Sequence, residues 1–302
     1  MFEDAIKNSN TYVRCINTIQ RTYKSDKIKA VSSSIVFVND DGCAICSRQT
    51  ADMLIAGDHI FRAYHEFKEA KKGLHDDYRY EIELEELEEK YHLKEGAICD
   101  IKNIFVGCYR KFEGFEIIKH PKYDLALIRF KNGEDKQYTS HAVFAKKGGL
   151  LRPGKELCRV GFPFAEFNNF KYDAEKDELE WIHEGNSFSP FFPQFGMVTR
   201  NVVDNGINFS FELSTANYQG MQGGPVFDEY GVVYGLCSLN AVIPNGYLPV
   251  PYNVVIEGNK TPLATSPYAL LGRVINNDII KQFLSDNKVT YFEDDIYDIK
   301  AN

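Results

Sequence analysis

Six residues in the second half of the chain, Gly220-Met221-Gln222-Gly223-Gly224-Pro225, limit its fold more than any other stretch. Three glycines and a proline in so short a span make a tight loop, because glycine takes up backbone conformations that other residues avoid and proline fixes its own φ. Strand-like runs lie on both sides, at 208–213 and 232–237. A loop bent this way packs several backbone N–H groups around a small volume, a geometry suited to a carbonyl oxygen or an oxyanion.

Other stretches join it in a fixed order. Residues 33–38 and 43–46 read as two strands joined by the turn Asn39-Asp40-Asp41-Gly42, a strong hairpin signal. Residues 104–108 and 115–118 are strand-like and lead into Asp124-Leu125-Ala126-Leu127. Beyond a loop near Gly148 and Gly149 comes the strand end Gly161-Phe162-Pro163. Residues 277–284 form a short amphipathic helix, with apolar residues paired one turn apart.

The glycine loop resembles the Gly-X-Ser-Gly-Gly-Pro loop of trypsin-like serine peptidases, including the HtrA-like bacterial members, at five of six positions. The hairpin, the Asp-Leu-Ala-Leu box, the Gly-X-Pro strand end, the loop and the closing helix follow in that family's order from about Ile35 to Leu284. The resemblance implies an all-β dominated fold of two antiparallel six-stranded β-barrels, with a site in the cleft between them. Its layout is an N-terminal helix or arm over 1–30, a first barrel over 31–147, a second over 148–274, and a C-terminal helix with an acidic tail over 275–302. Two segments interrupt it. Residues 58–95 have helical spacing (Phe61, Tyr64, His65), then an acidic run carrying Leu84, Leu87 and Tyr91 on one face, which suits an interaction element or a solvated helical hairpin. Residues 165–195 hold six phenylalanines and the only tryptophan, Trp181, without a clean period, and read as a functional or docking loop.

Carried over residue by residue, the resemblance implies a degenerate triad. Gln222 stands at the nucleophile position, Gln49 at the histidine position and Asp124 at the aspartate position. A carboxamide is a poor nucleophile and does not titrate near neutral pH, so two of three roles in the proton-transfer scheme are missing. The backbone amides of Gly220 and Gln222 match the oxyanion donors. Ala216 matches the base of the specificity pocket, which would then be apolar, and a hydrogen bond between Gln222 and Gln49 would replace the Ser–His pair. A rival alignment takes the apolar run 53–57 as the lead-in and makes His59 the base, while Cys46, Cys237 and Ser47 are the alternative nucleophiles.

The expectation is a peptidase homologue that binds a peptide or protein without cleaving it, through the cleft, the helical insertion or the Phe-rich loop; the alternative is an active hydrolase using His59. A net charge of −8 argues against nucleic acid and anionic membrane surfaces. The start of the chain has no cationic and apolar leader pattern, and no apolar run approaches a membrane span. Seven scattered cysteines show no CxxC pair, which suggests reduced thiols in a cytoplasm. No metal or cofactor is expected, since no compact Cys/His cluster exists.

Overall fold

Strands begin earlier than the spacing suggests. In this computed structural model, which describes residues 2–146, 151–244, 246, 251–256, 258–264 and 268–294, only α1 (Glu3–Ser9) is helical within 1–30. Strand β1 (Val13–Thr22) follows, and β2 (Ile28–Phe37) starts inside the same stretch, so the expected helix or arm is corrected to one short helix and a sheet strand. Val13, Ile16, Thr18 and Ile19 are β-branched and favour pleated backbone. Most of β1 is buried on both faces, so period-two alternation is lost and the three-residue spacing of Val13, Ile16 and Ile19 mimics a helix.

Strand β3 (Cys43–Cys46) pairs with β2 at Val36–Ile45 and Phe37–Ala44. The turn between them closes on Asn39, whose Oδ1 accepts from the Asp41 and Cys43 amides. Helix α2 (Arg48–Lys71) starts directly after β3, ten residues before the expected insertion, because Ser47 caps it by accepting from the Thr50 amide. Helix α3 (Tyr80–Lys90) buries none of its residues. Strands β4 (Ile98–Val106), β5 (Tyr109–Lys111), β6 (Gly114–Lys119), β7 (Ala126–Lys131) and β8 (Glu134–Lys136) complete the first half. Its main sheet is an antiparallel row, β4-β1-β2-β3-β7-β6, beside a small β5–β8 ribbon. The end strands β4 and β6 meet through the rings of Phe105 and Phe115, 5.1 Å apart.

The second half contains β9 (Val143–Ala145), β10 (Glu156–Gly161), β11 (Phe170–Asp173), β12 (Glu178–Trp181), β13 (Phe192–Asp204) and β14 (Ile207–Leu213). It continues with β15 (Pro225–Phe227), β16 (Val233–Pro244), the pair β17 (Pro251–Ile256) and β18 (Asn259–Ala264), and β19 (Tyr268–Asn276). Helix α4 (Asn277–Asp286) follows, capped by Asn276, and buries Ile280, Phe283 and Leu284. Six strands, β10, β13, β14, β19, β16 and β15, pair in a closed ring. The fold is thus β-dominated, with a six-stranded open row that curls as a half-barrel and a six-stranded ring where two closed barrels are expected. The expected acidic tail begins as strand β20 (Phe292–Asp294), which pairs in parallel with β9. The expected boundary at Gly148 and Gly149, and residues 295–302, lie outside the described residues.

The two interrupting segments pack against the body and each other. The Phe-rich stretch folds in part as the β11–β12 hairpin, with Phe167 and Leu179 buried against Ile19 of β1. Asp177 at its turn bonds Arg21 of β1 at 2.8 Å and accepts from the Tyr64 hydroxyl of α2 at 2.5 Å. Tyr64 and Phe67 share a small core with Tyr23, Leu93 and Cys99. A larger core runs without a break from the first sheet into the second, joining Phe37, Ile45 and Leu127 to Val160, Leu236 and Phe283. No helix among the described residues is long and apolar enough to cross a membrane.

Candidate functional site

The glycine loop leaves β14 and returns through β15 and β16, and its shape comes from backbone crowding. Gly220 and Gly223 have φ of +90° and +84°. A side chain on Gly223 would meet the Ser34 carbonyl at 2.4 Å, and one on Gly224 would meet the Val160 carbonyl at 2.0 Å. Inside the loop the Gly224 amide bonds Met221, while the Gly223 amide and Gly224 carbonyl both bond Cys237. Ser34 of β2 fastens the loop to the first sheet: its hydroxyl donates to the Gly220 carbonyl at 2.7 Å and accepts from the Phe162 amide at 3.2 Å. The Gly220 and Gln222 amides, matched to the oxyanion donors, give their hydrogens to no protein acceptor among the described residues.

Opposite the loop stands the N-terminus of α2. Gln49, in its first turn, and Gln222 line one cavity of about 380 Å³. The expected hydrogen bond between the two carboxamides is absent: neither side chain bonds to any described residue. Gln20 and Gln219 line the same space, so four of the chain's seven glutamines converge there. The facing wall carries the apolar Met53, Ala56 and Ile60 from α2 and Val31, Ile98 and Ile101 from the sheet, with the charged Asp52 and Lys29 beside them. No histidine or cysteine lines this cavity.

Asp124 is half-buried and spends both oxygens on fixed donors. Oδ1 accepts the Arg48 amide at 2.8 Å and Oδ2 accepts the Ser238 hydroxyl at 2.6 Å. It therefore pins the start of α2 to β16, one residue short of Gln49, whose side chain it does not touch. His59 is exposed on α2, eleven residues past Arg48, or about 16 Å along the helix axis. No imidazole bonds Asp124.

The alternative nucleophiles are occupied or inert. Cys46 and Cys237 are fully buried. Burial, with the Asp124 charge adding to it, pushes the Cys46 thiol well above its ordinary range, and burial pushes Cys237 up to about 11. Ser47 is committed to capping α2 and bonds the Thr50 hydroxyl at 2.9 Å.

Ala216, matched to the pocket base, is half-buried. Its carbonyl accepts from Arg159 Nη2 at 2.6 Å, and that guanidinium, fully buried, also bonds Gln194 Oε1 and both oxygens of Thr215. All of these acceptors are neutral, and burial draws the arginine's pKa down. The spacing argument missed this residue, as it missed Ser238, Gln20 and Gln219. An arginine inside the apolar run 157–162 was the one available signal.

The arrangement can hold and orient: beside the carboxamides, the hydroxyls of Ser32, Ser33 and Thr50 and the charged groups of Lys29 and Asp52 also line the cavity. A carboxamide offers a donor and an acceptor side by side, matching the N–H and C=O of an extended main chain. Among the described residues no group of His, Cys, Asp and Glu is placed to hold a metal ion.

No protein-family model and no curated protein matches the chain. Solved structures do. The chain is similar to the active form of the Rv3671c protease from M. tuberculosis, at 11% identity and a TM-score of 0.47, over 95% of this chain and 86% of that one. The inactive form of the same protease aligns at 10% identity and a TM-score of 0.45, over 94% and 92%. The HtrA-type protease AlgW with a bound tripeptide aligns at 11% identity and a TM-score of 0.44, over 95% of this chain and 63% of that one.

Proposed function

We propose that this protein binds an extended peptide segment of a partner beside the glycine loop and does not cleave it. The observation that carries this reading is the cavity shared by Gln49 and Gln222: two unbonded carboxamides where a serine and a histidine would be needed, with no imidazole or thiol on its walls. The opposing walls suit a strand-like ligand, its main chain against the glutamines and alternate side chains against Met53, Ile60 and Ile98. The alternative of an active hydrolase built on His59 finds no support in that residue's place on α2.

The test uses the whole purified chain, a fluorophosphonate probe and a fluorescent library of extended peptides. The expected outcome is no covalent labelling, with saturable binding of a subset of peptides that weakens at least about tenfold when Gln222 is replaced by Trp to fill the cavity. Stoichiometric labelling, or turnover of a bound peptide, would overturn it. Binding indifferent to Gln222→Trp would move the ligand elsewhere on the molecule.

A further inference from the structure

We propose that the outer face of the ring in the second half carries another ligand site, sharing no residue with the cavity at Gln222, that takes a small organic amine with an apolar body. The site is a hollow of about 830 Å³ between α1 and β13, within the range that small-molecule sites occupy. Phe195 and Met197, two apart on β13, point the same way and are 64% and 46% exposed. Phe2, just before α1, and Ile6 within it form the wall across from them. Single exposed hydrophobics are common, but here four apolar side chains from two segments of the chain line one open hollow.

Charge selects the occupant. Among the described residues, the only ionisable acids or bases on the hollow's surface, apart from the buried Cys158 thiol, are the carboxylates of Glu3 and Glu156. Both are exposed, and neither is paired with a cation among the described residues. A hydrocarbon body would cover the four apolar side chains while its ammonium head stays at the rim beside the two carboxylates. A carboxylate head on the same body would meet like charge. The size of the hollow and its single sign of charge together point to an apolar amine over a neutral or acidic ligand.

The experiment titrates the full chain with 4-phenylbutylamine, 4-phenylbutanol and 4-phenylbutyrate, three probes with one body and three heads, by ligand-observed NMR. Expected is saturable binding in the order amine, alcohol, acid, with the amine ahead of the acid by about fivefold at low salt and less at high salt. Phe195→Ser with Met197→Ser should abolish all three, and Glu3→Gln with Glu156→Gln should level the series while the alcohol still binds. All four positions are at the surface, and melting curves of both variants check that they remain folded. Gln222→Trp should leave the series unchanged. The proposal is overturned by absence of saturable binding, by equal binding of the acid, or by indifference to the Phe195–Met197 change. It is equally overturned if sedimentation shows a dimer that these substitutions dissociate, for then a second copy covers the face.

Discussion

The two sheets hold their share of the site by different means. The ring closes because glycines let backbones touch: a side chain on Gly224 would lie 2.0 Å from the Val160 carbonyl, and one on Gly235 would lie 2.2 Å from that of Ile275. The open row has no such contact between its ends, where Phe105, Phe112 and Phe115 fill the gap with rings. On the row's outer side, α2 is held by side chains: Ala51 and Leu54 in the larger core and Asp124 on the Arg48 amide near Gln49, and the Asp177 contacts with Arg21 and Tyr64 farther along. The wall carrying Gln222 is thus set by main chain packed on main chain, and the wall carrying Gln49 by side chains, with Asp177 as an electrostatic latch toward the far end of the helix. One is rigid by construction. The other is as strong as its side chains.

The largest expected effect breaks the rigid wall. Gly224→Ala should destabilise the protein by about 3 kcal/mol or more, because neither the Val160 carbonyl nor the loop has room to move; chemical denaturation measures it. A variant within 1 kcal/mol of the parent would show that the ring is looser than its contacts imply.

Next comes the latch. Asp177→Ala strips the buried Arg21 of its carboxylate; with Asp177 about one-third exposed and so partly screened, the loss should be about 1–2 kcal/mol. Hydrogen exchange should show α2 and the β11–β12 hairpin losing protection while the ring keeps its own. Acid should act on the same point. Burial raises the Asp177 pKa, but the Tyr172 and Tyr64 hydroxyls and Arg21 outweigh it and hold the group below its ordinary value. A depressed carboxylate stabilises the fold above its unfolded pKa, and that stability is lost as pH falls below about 4. In the ring, burial likewise opposes, and Arg200 and Arg273 outweigh it at Glu212, so both regions weaken in the same window. The Asp177→Ala variant should show a shallower loss there.

The smallest effect sharpens the contrast where the halves join. Ser238→Ala removes one donor from Asp124 and leaves the Arg48 amide in place, for a cost of about 1 kcal/mol and a small increase in exchange at the start of α2. Equal loosening throughout the ring would show that Asp124 braces more than the helix.

What was legible in the sequence tracks how local its cause is. The 33–46 hairpin was readable because Asn39 and Gly42 make its turn within four residues, and the closing helix because its apolar pairs lie one turn apart. Strand β1 was hidden by burial on both faces, which erases alternation. The start of α2 at Arg48 was hidden because its cap, Ser47, lies directly after a strand with no break between them. Motif order led to the expectation of a bond between Gln49 and Gln222, and that both side chains stay unbonded was not readable from it. Arg159 shows the same limit: what it holds comes from β13 and the 214–216 segment, more than thirty residues away. Nor does strand spacing reveal that β20 returns to β9 across more than 140 residues.

Ser34 has a further consequence. A single hydroxyl from the first sheet grips both the Gly220 carbonyl and the Phe162 amide of the second, and the Gly223 backbone lies hard against the Ser34 carbonyl. The halves therefore cannot swing apart like jaws to admit a bulky guest without tearing that junction. On the proposed reading, a ligand beside the glutamines would thus be thin and unfolded, a frayed terminus or a loosened loop rather than a rigid surface.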